Sequence, residues 1–335
     1  MNKIALITGI NGQDGAYLSE FLLKKKYKII GIDKNINRNY WRLKKLKIYN
    51  KIIFKKIDIT NSKQIKEIFS KYKIHEVYNL AALSSVQNSF SNPLKAANIG
   101  GLSVLKILEI IRKNKNNIKF YQASSSEMFG NLNSKSQSEN SNFNPQSPYG
   151  ISKLFGHYVT INYRKSYNIY AVSGILFNHE SPLRGEEFVT KKIIRGLIDI
   201  KKRKKKFIEL GNIYTKRDWG FAKEYVEQMW KMLNQKIPRD FVIASGKTYS
   251  IKDFVNEVTK NLKMKTKWKG TGFNEKLYLE SNNKIIIKIN KKLFRPSEVN
   301  YVRGNIAKAK KYLNWKPKIT FKKLIKIMVE EELKS

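Results

Sequence analysis

Residues 4–15, IALITGINGQDG, decide the fold: an apolar run suited to a buried strand over 4–8 leads directly into Gly9, Gly12 and Gly15. The residues that follow carry an apolar stripe, Tyr17, Leu18, Phe21 and Leu22, at the spacing of an amphipathic helix over 16–26. Glycines permit a tight turn between the two elements, and a helix N-terminus offers unpaired N–H groups and a positive dipole end to a pyrophosphate. Set between strand and helix, the three glycines point to a bound dinucleotide.

Outward from this turn, strands are expected over 28–32, 52–57, 77–80 and 120–123, with helices over 62–72 and 93–113. Such alternation builds a parallel sheet covered by helices on both faces, a Rossmann-type doubly wound α/β fold. After residue 178 the rhythm changes to loops carrying Arg184-Gly185 and Lys216-Arg217-Asp218-Trp219-Gly220 between shorter helices. The expected division is a dinucleotide-binding domain of residues 1–177 and 211–244 and a smaller α/β substrate-binding cap of residues 178–210 and 245–335.

A chain of 335 residues, 41% of them apolar, can bury cores of that size and does not have a disordered composition. Its start lacks the long apolar stretch of a secretory signal, and no segment reaches the roughly eighteen apolar residues of a membrane span. Without cysteine there are no disulfides and no thiolate chemistry; a cytoplasmic protein with no membrane insertion is expected. The net charge of +41 is spread along a chain rich in Lys, Asn and Ile together, so it reads as decoration of solvated faces, with no nucleic acid partner. The dense run from Lys201 to Lys206 reads as the solvated end of a helix begun near Thr190. No metal site is expected.

Asp33 ends the second expected strand, where a carboxylate accepts from an adenosine ribose and repels a 2′-phosphate. That favours NAD, whereas Lys34 and Arg38 offer charge for the phosphate of NADP, so both cofactors stay open. Tyr149 and Lys153 stand four residues apart after Pro148, on one face of a helix. There an ammonium can lower the phenol's pKa and make Tyr149 a general base. Ser124, Ser125, Ser126 and Glu127 follow the fifth strand, where doubly wound sheets hold their ligands. A hydroxyl there orients a substrate oxygen, and a carboxylate moves a proton.

The blocks TGINGQDGAYLSEFLL, YQASSSEMFG, SPYGISKLFGHY, ILFNHESP, KRDWG, RPSEV and LNWKPKITF, running from Thr8 to Phe321, together resemble the GDP-mannose 4,6-dehydratase family of extended short-chain dehydrogenases/reductases. The resemblance implies a GDP-sugar dehydratase with a tightly bound, internally recycled nicotinamide, NADP by family habit. It implies that Tyr149 takes the C4 hydroxyl proton, that Ser125, in the family's usual threonine position, bonds the C4 oxygen, and that Lys153 also binds the nicotinamide ribose. Glu127 would remove the C5 proton and protonate the departing C6 hydroxyl. Around the cofactor, Gln13, Asp14, Asp58, Ile59, Leu80, Ala81 and Ala82 are expected beside the glycines, Tyr149 and Lys153. For the GDP-sugar, Ser84, Asn178, Glu180, Lys192, Gly211, Arg217, Arg295 and Glu298 are expected; guanidinium forks suit a diphosphate. A homo-oligomer, dimer or tetramer, is implied as well. The chain departs from the family pattern at Leu83, Ser85, Leu183 and Lys191, and Asp33-Lys34 lacks the usual arginine pair.

Three competing readings follow from the same residues. One is a dehydratase for a related GDP-sugar such as a GDP-manno-heptose. Another is a keto-sugar reductase, which would lack a carboxylate in the place of Glu127. The last is a basic protein binding nucleic acid or a membrane surface on an enzyme scaffold, distinguished by salt-sensitive binding and no turnover.

Overall fold

The computed structural model describes residues 2–34, 39–114, 117–132 and 135–334, so Arg38 lies outside the described residues. Strands β1 (Ile4–Thr8), β2 (Lys28–Asp33), β3 (Ile52–Lys56), β4 (Glu76–Asn79), β5 (Lys119–Ser125) and β6 (Ala171–Leu176) join the Phe241–Ile243 strand in one seven-stranded sheet. Its order is Phe241–Ile243, β6, β5, β4, β1, β2, β3, and each neighbouring pair is parallel. A parallel sheet covered on both faces needs largely apolar strands, and β6, AVSGIL, is buried at every position with Ser173 its one polar residue. Side chains alternate between two cores: Ile7 packs with Leu18, Leu22 and Met229 on one face, Leu6 with Ile30, Val77 and Phe120 on the other. Chain order reverses at β1, flanked by β2 and β4, which opens a crevice at the carboxyl ends of the strands.

Two elements differ from expectation for local reasons. The first helix, Gln13–Lys24, starts earlier because extended Gly12 (φ −71°, ψ 167°) already serves as its N-cap. The helix expected over 93–113 is split into Pro93–Ala97 and Ser103–Arg112 by a π-helical turn, Asn98–Leu102. Here the chain is pressed against helix Pro148–Tyr167: a Cβ on Gly100 would stand 2.3 Å from the Ser152 Oγ. The widened turn sits at that contact.

A second, four-stranded sheet runs in the order Thr266–Lys269, Lys276–Leu279, Ile285–Ile289, Ile208–Leu210, antiparallel except for the last pair. Helices Val189–Lys201, Ile251–Asn261 and Phe321–Leu333 cover it through Leu197, Phe254, Val258 and Leu324. Helix Ala307–Leu313 and Trp315 leave this cap and pack on the first sheet, where the Trp315 indole donates to the Ala244 carbonyl at 2.8 Å. The basic run emerges at the C-terminal end of Val189–Lys201 and is exposed. No helix among the described residues is long and apolar enough to cross a membrane.

Asp218 ties three loops together from full burial. Its carboxylate accepts from the Ser245 amide (2.7 Å) and hydroxyl (2.6 Å), the Gly246 amide (2.9 Å) and the Gly304 amide (3.2 Å). Burial pushes its pKa up to about 6 even against these donors. An amide in its place turns an N–H₂ toward backbone N–H groups. Asp218→Asn is therefore expected to destabilise the fold by about 2 kcal/mol, read as a lower denaturant midpoint; an unchanged midpoint would contradict the role.

Candidate active site

The glycine turn has no room for side chains. Gly9 has φ +67°, and a Cβ there would stand 2.9 Å from the Ala81 Cα, while one on Gly15 would stand 2.6 Å from the Gly9 carbonyl oxygen. The turn and the N-terminus of Gln13–Lys24 open onto a groove of about 1200 Å³ along the strand ends. Every described residue expected at the cofactor, apart from Tyr149 and Lys153, lines that groove, from Gly9 and Asp14 through Asp33 and Asp58 to Ala82; Ser84 lines it too. Bare backbone beside a helix N-terminus at a sheet switch point fits a dinucleotide pyrophosphate. At the far end, Lys34 is engaged with Asp58 at 3.4 Å. Burial pushes the Asp58 carboxyl up, but Thr60 and Lys34 bring it below its ordinary value.

β5 carries the chain to Ser125, whose hydroxyl accepts from the Glu127 amide at 3.2 Å and caps the short turn Ser126–Met128. Helix Pro148–Tyr167 begins opposite, capped by the Ser147 hydroxyl on the Gly150 amide at 3.1 Å. Tyr149 thereby meets the Ser125 hydroxyl, while buried Lys153 donates to the Ala123 carbonyl at 2.8 Å. The ammonium lies 5.7 Å from the Tyr149 ring centroid, with no hydrogen bond between the two side chains. This corrects one expectation: the phenol is not lowered here. Burial pushes Tyr149 up to about 12, with the Ser125 bond opposing, and burial pulls Lys153 down to about 8.

Glu127 belongs to a second cluster. The Arg295 Nη1 lies 3.8 Å from Glu127 Oε1 and 3.9 Å from Glu298 Oε1, and the Arg217 Nη2 lies 3.3 Å from Glu298 Oε1. Burial lowers the pKa of Arg217, while Glu127 and Glu298 act to raise it. Arg217 therefore pairs with Glu298 rather than with its neighbour Asp218, which the loop amides hold. The other expected substrate residues are less alike. Lys192 is exposed and Asn178 half-buried at the start of the strand Asn178–Glu180, both without a side-chain hydrogen bond or ion pair among the described residues. Glu180 is buried and engaged with the Thr190 hydroxyl at 2.7 Å and Arg184 at 3.1 Å. Gly211 is held bare by a carbonyl: its Cβ would stand 2.7 Å from the Leu293 oxygen.

Several residues at the groove escaped the sequence reading. The His179 Nε2 lies 2.8 Å from Asp14 Oδ2 and its Nδ1 2.7 Å from the Phe177 carbonyl oxygen, two acceptors that together favour the imidazolium. Burial opposes that charge, but Asp14 outweighs it and raises the His179 pKa. Arg184 lines the groove beyond it, and Arg42 donates to the Leu183 carbonyl at 2.7 Å and the Asn11 carbonyl at 2.9 Å. Only the HESP block hinted at His179, and nothing in spacing singled out Arg42. Two departures from the family pattern are structural: Leu183 fills the first core, and Lys191 bonds the C-terminal Glu332.

The sheet order, the glycine turn and the Tyr149/Lys153 helix facing Ser125 define an extended short-chain dehydrogenase/reductase. Solved structures share the fold: UDP-glucose 4-epimerase of Thermotoga maritima (TM-score 0.83, 20% identity, 99% of each chain) and, with NAD, dTDP-glucose 4,6-dehydratase of Bacillus anthracis (0.82, 19%, 99% of this chain and 97% of that one). A family model described as GDP-mannose 4,6 dehydratase matches residues 6–328. Proteins of that name from Arabidopsis thaliana (44% identity, 99% of this chain, 90% of the relative) and Dictyostelium discoideum (43%, 99% and 96%) align nearly end to end. The chain belongs to the GDP-mannose 4,6-dehydratase family.

Proposed function

We propose that the chain converts GDP-mannose to GDP-4-keto-6-deoxymannose and water, in the cytoplasm. The observation that carries this is Glu127, a carboxylate at the end of β5 beside the Ser125/Tyr149 pair and within 3.8 Å of Arg295. A keto-sugar reductase needs the tyrosine and lysine but has no use for such a group. A bound nicotinamide supplies the hydride acceptor at C4 and the hydride donor at C6. Tyr149 takes the C4 hydroxyl proton while Ser125 orients that oxygen, and Lys153, on the same helix face with its ammonium 5.7 Å from the Tyr149 ring, binds the nicotinamide ribose. The new ketone acidifies C5–H; Glu127 removes that proton and protonates the C6 hydroxyl as it leaves. Arg217 and Arg295 hold the diphosphate, Glu298 accepts from the sugar, and Asn178 and Lys192 bind the nucleotide. In this reading residues 1–177 and 211–244 serve the cofactor and 178–210 and 245–335 serve the GDP-sugar. The test is mass spectrometry of purified protein with GDP-mannose: the expected product has lost one water with no steady change in nicotinamide absorbance. Continuous cofactor consumption would favour a reductase instead.

For the cofactor, NAD is the choice that Asp33 supports, because its carboxylate ends β2 and the neighbouring ammonium of Lys34 is already engaged with Asp58. NAD is expected to bind about tenfold tighter than NADP by calorimetry, and Asp33→Ser to narrow that ratio. Equal or tighter NADP binding by the unaltered chain would contradict this. A homo-oligomer is supported by Leu94, Leu102, Ile151, Phe155 and Tyr158, apolar residues exposed on the neighbouring segment 93–112 and helix Pro148–Tyr167.

A further inference from the structure

Beyond the reacting groups, the cap presents an exposed polar corner at its Ile208–Leu210 edge strand. The edge strand Ile208–Leu210 runs parallel to Ile285–Ile289, and the chain leaving the latter is tied back by the Asn290 amide on the Leu210 carbonyl at 2.9 Å. The Asn290 side chain is then spent at both ends: its oxygen accepts from the Lys292 amide at 2.9 Å, and its N–H₂ donates to Glu209 Oε2 at 3.0 Å. That leaves Glu209 exposed, oriented, and with Oε1 unpartnered among the described residues. Lys192 is exposed on helix Val189–Lys201, which packs closely on this strand: a Cβ on Gly196 would stand 2.5 Å from Ile208, the residue before Glu209, and the Glu209 charge acts on the Lys192 ammonium. Gly211, two residues on, presses against the Leu293 carbonyl, and the loop continues through Phe294, which packs on Phe273 at 5.3 Å, to Arg295.

A fixed carboxylate beside an ammonium is a pattern with a chemical complement. The guanine edge sets the O6 acceptor next to the N1–H and N2–H₂ donors, whereas uracil, thymine and xanthine carry a carbonyl where guanine carries its amino group. An ionised carboxylate only accepts hydrogen bonds, and an ammonium only donates. Given the GDP-sugar reading above, on which this rests, we infer that Glu209, steadied by Asn290, reads the N1–H and N2–H₂ edge of the guanine base while Lys192 bonds O6. Glu209 is then a specificity-determining residue of the nucleotide site. A pyrimidine nucleotide is refused there because its carbonyl meets the carboxylate.

Calorimetric titration of the cofactor-loaded protein with GDP, inosine diphosphate, xanthosine diphosphate and UDP tests this. The unaltered chain is expected to bind GDP most tightly, with inosine diphosphate weaker for want of the amino group. In Glu209→Gln, GDP binding should weaken about tenfold and xanthosine diphosphate binding should strengthen, because the new amide donates to the xanthine carbonyl. Glu209→Ala should lose GDP affinity without gaining xanthosine diphosphate. Glu209 is exposed, so both variants should fold. If both keep the GDP affinity and the base ratios of the unaltered chain, Glu209 only balances the charge of nearby lysines and the assignment falls. If the unaltered chain prefers UDP to GDP, the nucleotide reading itself falls with it.

Discussion

Replacing Glu127 by glutamine is expected to leave oxidation at C4 in place and to stop water loss, with turnover down about 10³-fold. Glutamine keeps the shape of the side chain but neither accepts a proton from C5 nor delivers one to the departing hydroxyl. Its surroundings should tolerate the change, because Glu127 is held by its backbone: the amide bonds the Ser125 hydroxyl, and the carboxylate contact to Arg295 is a loose 3.8 Å. Rapid mixing of the NAD-loaded variant with GDP-mannose should therefore show nicotinamide absorbance rising to one equivalent per site and then holding. Turnover like that of the unaltered chain would remove Glu127 from the elimination.

Tyr149→Phe should act one step earlier, abolishing that rise in absorbance and lowering turnover by about 10³-fold or more. The phenyl ring keeps the packing at the start of helix Pro148–Tyr167, and the capping bond from Ser147 is to the Gly150 amide, so the helix should be unaffected. What is lost is the hydroxyl that meets Ser125. Single-turnover absorbance checks this: a rise in the phenylalanine variant matching that of the unaltered chain would mean that another group takes the C4 proton.

Much of this was legible from residues near one another in the chain. β1 and the glycine turn could be read because one apolar run and three glycines determine them locally. The Tyr149/Lys153 face is likewise a matter of helical spacing, and the strand before Ser125 positions the serine by itself. The electrostatics did not follow from spacing, since the desolvation that raises Tyr149 is set by everything packed around it. Nor did the pairing of Arg217. Asp218 adjoins it in sequence but is drawn away by amides at 245, 246 and 304, leaving Arg217 to Glu298. The Asp14–His179 pair joins residues 165 positions apart, and the contact of Asn290 with Glu209 spans 81. Neither has a local signature. The split of the helix over 93–113 falls where Gly100 meets Ser152, a residue of another helix altogether.

The central claim, a hydride lent to the cofactor at C4 and returned at C6 of the same hexose, is tested most directly with GDP-mannose deuterated at C4. The account predicts a product that has lost one water and carries the deuterium at C6, even when excess unlabelled nicotinamide is added. Deuterium lost to solvent or to the added cofactor, or no loss of water at all, would contradict it.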